Sequence, residues 1–142
     1  MKYLTVQEAL DLAELACAGQ RVVVRDLGLL TSALGRPQSQ MFGIEAYPDL
    51  VEKAAALLQS LTTNHPLVDG NKRMAWMCTV VFLDINGVEM LDIDQDRAFD
   101  LVIDIATGKT EDVAVIAAEL RALRRGESGE LGETGGTRPG FV

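Results

Sequence analysis

Cross-linking residues, aromatic rings and positive charge are all scarce in this chain. Its 142 residues include two cysteines, four prolines, one tryptophan and one histidine, and aromatics make up 5%. Two cysteines cannot build the disulfide framework on which small secreted domains depend. Cys17 and Cys78 each lie among apolar neighbours and read as small buried hydrophobes of a reducing compartment. Thirteen basic residues against 21 acidic ones leave a net charge of -8. That balance excludes a passive nucleic-acid binder, because phosphate recognition needs a cationic footprint and the Lys and Arg residues here are scattered. Any anion site must be local. The apolar run Met74 to Leu83 is too short to span a bilayer, and Glu8 and Asp11 come too early for a secretory signal. The expectation is a cytoplasmic protein with no membrane segment and no direct nucleic-acid contact.

What the chain does have is apolar periodicity. Nearly half of it is hydrophobic (48%), which suits one compact domain able to bury roughly two thirds of its extended surface. Thr5 followed by Glu8 is a capping-box pattern, with Leu10, Ala13 and Cys17 at helical spacing and Gly19 as the stop. Asp26 caps a second, shorter helix through Leu27, Leu30 and Leu34, ending at Gly35 with Pro37 beyond. Residues 35–43 lack periodicity and read as a loop or flap. Pro48 fits the first turn of a third helix carrying Val51, Ala54, Ala55, Leu58 and Leu61 on one face and ending near Thr63. Residues 71–86 hold no proline or glycine and are apolar nearly all round, the pattern of a central helix. Two amphipathic helices follow, one opened by Asp94 and one by Thr110. The spacing therefore predicts an all-α bundle of about six helices over residues 1–125, with a flexible Gly/Glu-rich tail over 126–142.

Polar chemistry is concentrated in HPLVDGNKR, residues 65–73, between two core-forming segments. His65-Pro66 makes a helix-to-helix connection, and Asp69-Gly70-Asn71 turns the backbone sharply into the central helix. The first amides of that helix have no intrahelical partners and its dipole is positive there, which makes an anion site. Lys72 and Arg73 put two cations on the same first turn, against the dipole, a conflict that a multiply anionic ligand resolves. An imidazole can accept a hydroxyl proton, an aspartate beside a polyphosphate can hold a divalent metal, and Lys and Arg can neutralise phosphate oxygens. Together His65, Asp69, Lys72 and Arg73 describe phosphate-ester transfer to an alcohol. Each part taken singly has a plainer reading: Asp-Gly-Asn is ordinary turn chemistry, and Lys-Arg at a helix start is a solvated face. Met74, Trp76 and Met77 read as core, and Asp92, Asp94, Asp96 and Asp100 as caps and solvated carboxylates, since no calcium-loop pattern accompanies them.

HPLVDGNKR resembles the signature of the Fic/Doc family, His-x-Phe-x-Asp/Glu-Gly/Ala-Asn-Gly/Lys-Arg, and the surrounding chain resembles its Doc branch. RDLGLLTSALGRP before the motif, and FLDINGV and ATGK after it, extend the likeness over most of residues 1–125. The resemblance implies a small all-α fold that transfers part of a nucleotide to a protein hydroxyl. For the Doc branch it implies a toxin that phosphorylates a threonine of translation elongation factor Tu with ATP and Mg2+, restrained by a Phd-like antitoxin that folds on binding. It makes His65 the base and Asp69 the magnesium-associated acid. Gly70 and Asn71 fall in the anion-holding turn, with Lys72 and Arg73 on the nucleotide phosphates. Leu67 stands where the motif has phenylalanine, Trp76 where the AMP-transferring branch has a second arginine, and Lys72 where that branch has glycine. The last two departures point to phosphoryl transfer, with AMP transfer or a non-catalytic Fic-fold binding module as the alternatives. The loop 35–43, through Pro37, Met41 and Phe42, is expected to offer apolar surface to a target or antitoxin.

Overall fold

The computed structural model describes residues 1–126. Six α-helices account for most of them: α1 (Val6–Ala16), α2 (Leu27–Gly35), α3 (Leu50–Asn64), α4 (Asn71–Ile85), α5 (Gln95–Ala106) and α6 (Val113–Arg125). The all-α expectation holds. The tail expected over 126–142 lies outside the described residues except for Gly126, which closes α6 at φ 73°.

Helix starts follow side chains that can satisfy orphan amides. The Thr5 hydroxyl accepts from the Glu8 N–H at 3.1 Å while the Glu8 carboxylate accepts from the Thr5 N–H at 2.9 Å, completing the capping box. Asp26 and Asp94 cap α2 and α5 as their positions predict. Two starts differ from expectation. Asp49, not Pro48, opens α3, its carboxylate accepting from the Val51 and Glu52 N–H groups, a service proline cannot supply. Asp112, not Thr110, opens α6, its carboxylate accepting from the Ala114 N–H, while the Thr110 N–H donates back to the Asp104 carbonyl at the end of α5.

The segment 35–43, expected as an irregular loop, is instead a turn of 3-10 helix (Arg36–Gln38) followed by a hairpin. Its strands β1 (Gln40–Met41) and β2 (Ile44–Glu45) pair antiparallel, Gln40 with Glu45 and Met41 with Ile44. Two-residue strands are too short to show alternation. Phe42 (φ 53°) and Gly43 (φ 77°) supply the left-handed pair that a two-residue hairpin turn requires. Met41 and Ile44 are exposed and Phe42 is 97% exposed, whereas Pro37, expected to share that apolar surface, is buried in the 3-10 turn beneath. The base of the hairpin is tied to α3. The Lys53 side chain is 2% exposed, and its ammonium donates to Glu45 Oε1 at 2.6 Å and to the Tyr47 carbonyl at 2.5 Å. Arg36 donates to the Tyr47 hydroxyl and to Gln59 and Ser60 on α3.

Helix α3 occupies the middle, with α2, α4, α5, α6 and the 3-10 turn packed around it. Its face Ala54, Ala55, Leu58 and Leu61 is fully buried. Helix α4 packs on α3, α1 and α5, burying Met74, Ala75, Trp76, Cys78, Phe82 and Leu83, so it shares the central position rather than holding it alone. Cys78 is a buried hydrophobe, as expected, and burial pushes its thiol up to about 12. Cys17 is only half-buried at the end of α1; both thiols are free. Among the described residues no helix is long and apolar enough to cross a membrane.

Candidate functional site

The turn between α3 and α4 begins where α3 runs out of helical backbone. His65 follows Asn64 in the left-handed conformation, φ 49° and ψ 55°, an uncommon state for a residue with a Cβ. Such a conformation persists only where its surroundings over-determine it. Here the surroundings are an earlier stretch of chain. The Arg25 guanidinium donates from Nε to the His65 carbonyl at 2.8 Å and from Nη2 to the Asn64 carbonyl at 3.0 Å. The Arg25 and Asp26 amides both donate to the Pro66 carbonyl, and the Val68 amide donates to the Val23 carbonyl. Val24 and Leu67 form an antiparallel bridge. The Asn64 side chain donates to the Leu29 carbonyl on α2. Leu67 is 1% exposed, so leucine in place of the motif's phenylalanine still anchors the turn in the core.

Asn71 closes the turn from the other side. Its Oδ1 accepts from the Leu67 amide at 2.8 Å and its Nδ2 donates to the Leu67 carbonyl at 2.9 Å. The Asn71 side chain thus shapes the turn, and what remains at this position for an anion is the backbone. Gly70, at φ 89°, is the N-cap of α4 and offers no side-chain oxygen to the amides behind it, which leaves the helix start open to an external acceptor. A Cβ at Gly70 would lie 2.9 Å from Cys17 Sγ, so glycine is required by contact as well as by φ.

The side chains at the mouth face solvent. His65, Asp69, Lys72 and Arg73 are all exposed. Asp69 Oδ1 accepts from the Gly70 amide at 2.9 Å, which fixes its carboxylate over the helix start. Asp69, Gly70 and Arg73 line a cavity of about 120 Å³ together with Cys17, Arg21 and Val23; His65, Asn71 and Lys72 do not border it. Arg21 adds a third cation to this mouth. Among the described residues neither Lys72 nor Arg73 forms an ion pair, so the first-turn cations are not neutralised by carboxylates. No cluster of three or more metal-ligating side chains exists among the described residues. Asp69 alone suits a Mg2+ that arrives with substrate phosphates, since that ion uses one or two carboxylates and takes its other ligands from phosphate and water.

Sequence reasoning found the motif and missed what holds it: Arg25, the bridge at Val24 and the Asn64 side chain. A usable signal was present in Val22, Val23 and Val24, a β-branched run between Arg21 and Arg25 that no helix pattern claims.

A helical bundle with this anchored turn at the start of α4 has the form of a Fic domain, and the family model of the Fic/DOC family matches residues 3–83. The chain belongs to the Fic/DOC family. It is 51% identical over 120 residues to "Toxin Doc" of Mycolicibacterium smegmatis, covering 84% of this chain and 91% of that protein. It is 30% identical over 125 residues to "Protein kinase doc" of Escherichia phage P1, covering 87% of this chain and 96% of that protein.

Proposed function

We propose that the protein is the toxin of a toxin–antitoxin pair and a kinase that moves the γ-phosphoryl group of ATP to a Thr or Ser hydroxyl of a protein target, elongation factor Tu being the first candidate. The observation that carries this reading is the anchored turn. It sets an exposed imidazole at one end and the open N-terminus of α4, flanked by Lys72 and Arg73, at the other. The names of the two relatives, a toxin and a protein kinase, support it.

In this reading the amides at the start of α4 and the Arg73 guanidinium hold the phosphate to be transferred, where charge shifts as the bond to the leaving oxygen breaks. His65 takes the proton of the attacking hydroxyl. Its backbone carbonyl is committed to Arg25, and the exposed residue is open to an incoming chain. Asp69 would hold a Mg2+ delivered on the nucleotide, which supplies charge neutralisation on the phosphates. Lys72 occupies the exposed first turn and adds positive charge on the polyphosphate. The hairpin tip, Met41, Phe42 and Ile44, offers apolar surface to the target or to a Phd-like antitoxin segment that folds on contact.

The test is the mass added to elongation factor Tu by the protein with ATP and Mg2+. Addition of a phosphate, with label transferred from the γ and not the α position of ATP, is the expected outcome. Label from the α position makes the protein an adenylyltransferase, and no addition with tight target binding makes it a binding module.

A further inference from the structure

The end of α4 remote from the turn borders a cavity of about 220 Å³ that the proposed reaction does not use. Among its lining residues Leu83, Met90 and Leu120 are apolar and buried. Every polar one is an arginine: Arg121, Arg124 and Arg125, near the end of α6. Arg121 is paired with Asp49 at 2.6 Å, whereas Arg124, which is exposed, has no ion-pair partner among the described residues. Cations in a last helical turn suit the helix dipole, which accounts for their sign. The dipole does not account for an apolar hollow beside them. That combination fits a ligand that is apolar at one point and acidic around it.

We propose that this cavity is filled by the chain's own continuation, with Leu131 in the apolar space and Glu127, Glu130 and Glu133 against the arginines. Past Arg125 the sequence reads GESGELGE over residues 126–133, in which a leucine is the one apolar side chain and carboxylates recur at every third position. The complement of the cavity, in charge and in polarity, thus follows directly on the helix that supplies the arginines. Reach is sufficient. Gly126 ends α6 at φ 73°, and the stretch from there to Leu131 can extend over about 17 Å, while Leu120 lies about 9 Å back along the helix. A tether this short keeps the segment at an effective concentration on the order of millimolar, so that weak contacts suffice for occupancy. A Gly/Glu-rich stretch cannot build a core of its own, but burying one leucine in a cavity that already exists asks for none. Leu83 stands roughly 18 Å along α4 from Asn71, so the docked segment braces α3, α4 and α6 without covering the turn between His65 and Gly70. The proposal is independent of the kinase reading.

Cysteine pairs in the full chain test this. Leu131→Cys with Val88→Cys, whose position lines the cavity from the α4–α5 connection, should close a disulfide within one chain when oxidised glutathione is the oxidant. Peptide mapping by mass spectrometry reads the pair and tells it apart from Cys17 and Cys78. Val51→Cys supplies the same test from α3, should the Val88 variant melt below the parent. Leu131→Cys with Ala118→Cys is the comparison, since Ala118 is exposed on α6, lies within the same reach and does not border the cavity. The cavity pair is expected to close at least about tenfold faster than the comparison pair. Arg124→Glu should slow that closure about fivefold, and Glu130→Arg in the same chain should recover part of the rate. Equal rates for the two pairs would overturn the proposal, because the segment then passes the cavity without docking. Closure indifferent to Arg124→Glu would overturn it by removing the charge pairing. A disulfide between two chains in place of one within a chain would also overturn it, since a second copy's segment then fills the cavity.

Discussion

Two connections in this molecule carry its exposed chemistry, and they are held in opposite ways. The turn 65–70 is bound along its length: the carbonyls of Asn64, His65, Pro66 and Leu67 and the amides of Leu67 and Val68 all have partners. The hairpin 40–45 is bound at its base, by Lys53 and Arg36, and its tip touches little. Each holds a non-glycine residue at positive φ, His65 in the turn and Phe42 at the hairpin tip. In the turn the strain is contained by hydrogen bonds on every side. In the hairpin it is carried by a two-residue sheet, which has little stability of its own. On the proposed function, the difference separates two tasks. Phosphoryl transfer needs groups fixed to a fraction of an ångström, whereas recognition of another chain tolerates a finger that is rigid only at the root.

That contrast can be broken by substitution, and the largest effect belongs to the turn. His65→Ala is expected to lower transfer at least about a hundredfold, as for loss of a general base, with little change in melting temperature. A folded variant that retains full transfer would remove His65 from the reaction. Gly70→Ala should cost about 2–3 kcal/mol of stability, since alanine is strained at φ 89° and its Cβ meets Cys17 Sγ. Cys17→Ala in the same chain should recover part of that loss by removing the contact and not the strain, which a denaturation double-mutant cycle measures. On the hairpin, Lys53→Met keeps the apolar stem and deletes the ammonium. About 1–2 kcal/mol of stability should go, and hydrogen exchange should quicken across residues 40–46 while the turn at 65–70 stays protected. Equal loosening of both connections would mean they are one cooperative unit. Phe42→Ser, at the exposed tip, should leave stability within about 0.5 kcal/mol of the parent and weaken binding to the antitoxin or to elongation factor Tu. Unchanged affinity for both would take the tip out of recognition.

The same contrast divides what could be read in the sequence from what could not. Helices α1, α2, α4 and α5 follow from apolar spacing and a capping residue a few positions away, and both signals are local. His65, Asp69, Gly70, Asn71, Lys72 and Arg73 are contiguous, so the motif was legible as well. The grip of Arg25 on the carbonyls of Asn64 and His65 was not, because a guanidinium meeting a backbone oxygen leaves no mark in either residue's neighbourhood. Lys53 was hidden for a related reason. It stands within an apolar helical face as if it were a solvated cation, and only the fold reveals that it is buried against Glu45. Pro48 and Thr110 misled because proline and threonine are common near helix starts, while Asp49 and Asp112, one and two residues further on, satisfy the amides directly.

The Arg25 anchor also governs the order in which the protein becomes competent. Arg25 reaches across 40 residues of sequence to the carbonyl it holds, so the turn takes its shape only when a long segment of chain has been closed. The entropy of that closure must be met before its contacts reward it. Helices α3 and α4 rest on hydrogen bonds between near neighbours, whereas the shape of the turn between them depends on contacts with Val23, Val24 and Arg25. On gentle warming the long closure is expected to open before the helices on either side of it, and transfer should fade at a temperature where the far-ultraviolet helical signal is still intact.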